Sequence, residues 1–225
     1  MKYQLFQITL NYKVSSMDTT TQSNLEAIKD IKKMMERSSR FISLSGWSGV
    51  AAGICAIAGS WVAIDRITSY FDGTSPSAGC PACLKNELIM VAAVVFTAAL
   101  ASAFSFTYIR SKKDGAAIWG RAARRLLWNT LLPMIVGGVL ILKMLDLKYY
   151  ELVAPATLIF YGLALVNGSK YTMGEVRYLG YGQLITGLLS LFIVSRGLYA
   201  WAFGFGILHI LYGVAMWWKY ERSEQ

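Results

Sequence analysis

Six stretches of mostly apolar residues, each bounded by charge, limit this chain more than any other feature: approximately 41–64, 88–109, 126–145, 152–168, 178–195 and 198–218. A helix needs about 20 such residues to cross the roughly 30 Å hydrocarbon core of a bilayer, and inside that core only helices and closed barrels satisfy their own backbone. Composition agrees: 55% of the 225 residues are hydrophobic, 16% are charged and the mean hydropathy is +0.43, whereas soluble domains carry about 25% charge. The fold read from this is all-α, a polytopic membrane bundle of six transmembrane helices arranged as three hairpins. Lys143 and Asp146 fall near the end of the third span, and the fourth is short; a hairpin suits this pair better than a re-entrant segment.

Lysine and arginine are distributed unequally about the spans. Of the 22, 17 fall before span one, in 110–125, in 167–177 or after span six; Arg66, Lys85, Lys143, Lys148 and Arg196 fall on the other side. The positive-inside bias places both termini in the cytoplasm and 65–87 outside, in the periplasm. The net charge of +9 is divided among membrane-flanking segments. Anionic membrane lipids are therefore the expected partner and nucleic acid is not.

Residues 1–22 read as a strand-like or poorly ordered segment: 1–16 alternate apolar and polar with nothing nearby to pair with, and Met17 offers a more natural start. Residues 23–40 read as a cytoplasmic amphipathic helix. Ser23 and Glu26 fit a capping box, Leu25, Ile28, Ile31, Met34 and Met35 recur at helical spacing, and Lys29, Lys32, Lys33 and Arg37 crowd the other surface. No secretory signal precedes span one, which reads as an uncleaved anchor. The transmembrane domain occupies 41–218 and a cytoplasmic tail 219–225.

Gly46, Gly49 and Gly53 in span one, beside Ala52, Ala56 and Ser60, and Ala93, Thr97, Ala101 and Ser105 in span two form stripes of small residues. Such stripes let helix backbones approach closely, and packing of spans one and two on each other is expected, ahead of a homo-oligomer face. Tyr161-Gly162 and Tyr212-Gly213, each followed by Lys-Tyr, with Gly138 and Gly187, hint at a duplicated hairpin.

The loop 65–87 carries Cys80-Pro81-Ala82-Cys83. In an oxidising compartment a local disulfide pinning the loop is the simplest outcome. A redox-active pair is the alternative; it needs a helix N-terminus or a cation beside the thiol, and Lys85 is the only cation close in sequence. Zinc would need two further ligands that Cys55 and His209, both within spans, do not supply. In the loop 110–125, Trp119 amid basic residues suits the headgroup level.

Ionisable and amide groups inside a span are functional suspects by default. Gln183 and His209, the single histidine, lie deepest, and with Tyr212 they are the candidates for ligand binding or proton relay. The competing role for His209 is an interhelical tie to Gln183 or to a tyrosine. Lys143, Asp146, Glu151 and Arg196 cluster near outer span ends and are candidates for an outer vestibule. No G-x-S-x-G, H-E-x-x-H, Walker A or dinucleotide motif is present, which leans against an enzyme, and neither cofactor nor resident metal is expected.

At MMERSSRFISLSGWSGVAAG (34–53), GEVRYLGYGQLITGLLSLF (174–192) and FGILHILYGVAMWWKYER (205–222) the chain resembles a group of multi-pass membrane proteins from Bacteroidota. The resemblance covers most of the chain from about residue 24. It implies an inner-membrane location and brings no activity, substrate or catalytic residue. Three functions remain: a small-solute transport or ligand-sensing module with a cavity near His209, a membrane thiol redox protein or sensor using Cys80 and Cys83, and a structural subunit of a membrane assembly.

Overall fold

The structure, a computed structural model, describes residues 45–113, 119–193 and 196–222. The segment 1–22, the expected amphipathic helix 23–40 and the start of the first span lie outside the described residues. Within them every regular element is helical and no strand occurs. We label the helices α1 (Gly46–Phe71), α2 (Pro81–Lys113), α3 (Arg121–Asp146), α4 (Val153–Gly168, with 3₁₀ turns Tyr150–Leu152 and Ser169–Tyr171), α5 (Glu175–Phe192) and α6 (Gly197–Tyr220). Among the described residues, five of these, all but α5, are long and apolar enough to cross a membrane. The exception has a physical cause: α5 carries Glu175, Arg177 and Gln183, and one face of it is buried against its neighbours at Val176, Leu179, Gly180, Gln183, Gly187 and Ser190.

The connector expected over 65–87 shrinks to 72–80. Nothing between Asp65 and Phe71 breaks a helix, so α1 continues until Gly73, whose φ of +73° takes the left-handed conformation that commonly ends one. On the far side Pro81 occupies the first helical position, where its missing N–H costs nothing. The short loop is held by its own bonds: Thr74 and Ser75 donate backbone N–H to the Ser69 carbonyl, and the buried Ser75 and Ser77 hydroxyls meet at 2.7 Å.

Helices α1 and α2 pack together, as do α3 and α4; α5 packs most closely on α4, and α6 is shared between α1 and the α4–α5 pair. The fifth helix therefore pairs with the fourth more than with the sixth. The buried face of α1 is made of small residues, Gly46, Ser48, Gly49, Gly53, Ala56, Gly59 and Ser60, while Trp61, Phe104, Trp128 and Leu142 are exposed. That inversion of size is what helices associating in lipid require.

The glycine stripe of α1 receives α6, correcting the expectation that it meets span two. A Cβ on Gly46 would lie 2.5 Å from the Gly213 carbonyl oxygen, and one on Gly53 2.7 Å from that of Gly206, so backbone meets backbone there and no side chain can yield. Against α2 the contact is Gly59 with Val95. The stripe Ala93, Thr97, Ala101 and Ser105 is exposed, and its two hydroxyls bond to carbonyls of their own helix. The hinted duplication finds no common packing: Gly162 faces α5 whereas Gly213 faces α1.

Pro133 lies inside α3 and cannot donate to the carbonyl four residues earlier, that of Asn129. Asn167 on α4 donates from Nδ2 to this oxygen at 2.8 Å. Replacing Asn167 by Leu is expected to cost about 1 kcal/mol, and clearly less in a Pro133→Ala background, where the helix supplies its own donor. Denaturant unfolding in micelles of the four proteins checks this; equal costs in both backgrounds would refute the assignment.

Candidate buried polar site

Helix α6 is not uniform. An α-helical turn, Gly197–Trp201, gives way to a π-helical segment, Ala202–Leu208, before α-helix resumes at His209–Met216. The sequence FGFGIL makes this tolerable: Gly204 and Gly206 have no side chain, and Leu158 and Gln183 press against the first while Ile57 presses against the second. π segments are rare and are frequent at functional sites.

Three helices meet at this segment. Gln183 on α5 is fully buried and donates from Nε2 to the Gly204 carbonyl at 2.7 Å. His209 is buried too, with Nδ1 3.2 Å from the same carbonyl and 3.3 Å from Gln183 Nε2, and with Nε2 2.9 Å from the Tyr161 hydroxyl of α4. Two proton arrangements satisfy the ring. In one, Nδ1–H donates to Gly204 and the Tyr161 hydroxyl donates to Nε2; in the other, Nε2–H donates to Tyr161 and Gln183 donates to Nδ1. Phe205 stacks on His209 with centroids 5.8 Å apart and packs at a tilt against Tyr161 at 4.9 Å, so aromatic rings close the cluster.

His209 and Gln183, both candidates from sequence, are thus brought together. Tyr212 is not part of their hydrogen bonding: its ring lies against Gly49 of α1, and its buried hydroxyl has no partner. Gln183 Oε1 is likewise buried without one. Tyr161 was missed as a site residue; it stands 48 positions from His209, and no periodicity links them. No protein-family model matches the chain, and neither the curated proteins nor the solved structures contain a significant match.

In the last turn of α3, Lys143 pairs with Asp146 at 2.7 Å within its own helix, both side chains mostly exposed, a geometry of little energetic weight. Glu151 and Arg196 are exposed and form no ion pair with each other or with that couple. Cys80 and Cys83 are joined as a disulfide, and Cys55 is free. Trp119 is exposed. Among the described residues no three His, Cys, Asp or Glu side chains gather as a metal site would require.

A second polar contact closes the other end of α6. Lys219 Nζ and the Tyr220 hydroxyl both donate to Glu175 Oε1 at the start of α5, the tyrosine at 2.9 Å. For the buried cluster, a double-mutant cycle of Tyr161→Phe with His209→Leu is expected to return a coupling of about 1 kcal/mol; additive effects would mean that the hydroxyl and the ring do not interact.

Proposed function

We propose that the chain is a six-span protein of the bacterial inner membrane, with both termini cytoplasmic, that acts as a small-solute transport or ligand-sensing module centred on His209 and Gln183. The cationic bias of the helix ends supports the orientation, and the resemblance to Bacteroidota membrane proteins supports the location. Helix α5 has 18 residues and would extend about 27 Å at 1.5 Å per residue, enough to serve as the sixth span with its polar face turned inward.

One observation carries the ligand reading. Beside the π segment, Gln183 Oε1 is fully buried and unpartnered. An orphaned polar atom surrounded by lipid-spanning helices costs several kcal/mol, so a chain that keeps one is expected to fill it in use. The complement of a buried carbonyl oxygen is a small, neutral molecule that donates a hydrogen bond; a fixed charge would be too costly to desolvate there.

The test is to purify wild type and Gln183→Leu from their native membrane and compare the small molecules each retains, using native mass spectrometry. Retention by the wild type and at least tenfold loss in a variant with unchanged circular dichroism is the expected result. A wild type that retains nothing, with a variant altered only in thermostability, would leave His209 and Gln183 as a tie between helices and overturn the reading.

A further inference from the structure

The disulfide joins two residues three apart in sequence, with Cα atoms 5.3 Å apart, on the opening turn of α2. Disulfide stabilisation grows with the length of loop closed, and this one closes a stretch that the helix already fixes: Cys83 and Leu84 both donate backbone N–H to the Cys80 carbonyl. It ties down nothing else, because the preceding loop is anchored by Ser69, Ser75 and Ser77. The local disulfide expected from sequence is present, and a structural staple placed here would have little to hold beyond the helix's own first turn.

The position suits chemistry instead. Cys80 caps the N-terminus of a helix of 33 residues, and its Sγ accepts the Cys83 backbone N–H at 3.3 Å. This N–H and the positive end of the helix stabilise negative charge at that sulfur. Lys85 and Glu87 carry opposite charges in the next turn, so the backbone is the deciding influence. Cys83, Pro81 and Ala82 are exposed, and Cys80 is half-buried. With about 50 Å of helix against a hydrocarbon core of roughly 30 Å, the first turn of α2 can stand in the headgroup region or beyond, within reach of water.

We propose that Cys80–Cys83 is a thiol–disulfide exchange site whose substrate is a dithiol presented from the aqueous side at that end of the bundle. A substrate thiolate attacks the exposed Cys83 sulfur, the Cys80–Cys83 bond breaks, and Cys80 leaves as a thiolate held by the helix N-terminus. The second substrate thiolate then attacks the first substrate sulfur, closing the substrate disulfide and releasing Cys83. Two electrons pass from the dithiol to the pair, and the two protons shed by the substrate thiols are available to the two cysteines. This site is independent of the His209 cluster, and either can fail without the other.

The test uses full-length oxidised protein in lipid nanodiscs and, as probe, a reduced peptide with two cysteines separated by two residues. Single-turnover reduction is followed by alkylation and gel shift, with the oxidised linear peptide Cys-Pro-Ala-Cys as the reference acceptor. The protein is expected to react at least tenfold faster than the peptide, and the double variant Cys80→Ser/Cys83→Ser to unfold within a few degrees of the wild type. Exchange no faster than that of the peptide would overturn the proposal, as would a double variant that loses its fold, which would make the pair a staple after all.

Discussion

In a hydrocarbon environment no water is available to a backbone carbonyl that lacks its helical donor, and this scarcity organises the molecule. Two interruptions of regular α-helix are met in the same way. Pro133 deprives the Asn129 carbonyl of its donor, and the Asn167 amide of the neighbouring helix supplies one. In the π segment the Gly204 carbonyl accepts from the Gln183 amide of the neighbouring helix. Each repair also joins two helices, so local irregularity becomes tertiary structure.

Close approach does the rest. Backbones touch where glycines face each other, Gly46 and Gly53 against Gly213 and Gly206, and Gly162 against Gly180, while large side chains such as Trp61 and Phe104 are left outside. The first seam sets α6 on α1, the second sets α5 on α4, and the polar cluster falls where these two pairs adjoin. Packing that brings main chains together also leaves little room for long side chains inside, which is why the polar contacts there are made by compact groups: an amide, an imidazole and a phenol.

Apolar length made the helical, membrane-spanning character legible, because any such run must hydrogen-bond to itself. Helix ends were less so: the residues 65–71 look like a loop by polarity, yet only Gly73 and Pro81 have a backbone reason to mark boundaries. His209 and Gln183 stood out because polar residues are rare in spans. Their geometry did not, since Tyr161 lies among apolar neighbours and nothing local distinguishes it from Tyr212. The glycine stripe of α1 was visible, but a stripe does not name its partner; that choice rests on Gly206 and Gly213 occurring on α6 at matching heights.

A π turn stores more residues per turn than an α turn, and that surplus separates Trp201 from His209 along α6. The angular relation between the two ends of this helix is consequently written in the number of residues between them as much as in their identity. Losing one residue from Ala202–Leu208 would restore regular winding and swing everything before it around the axis, parting Gly204 from Gln183 while every side chain named in the cluster was still encoded.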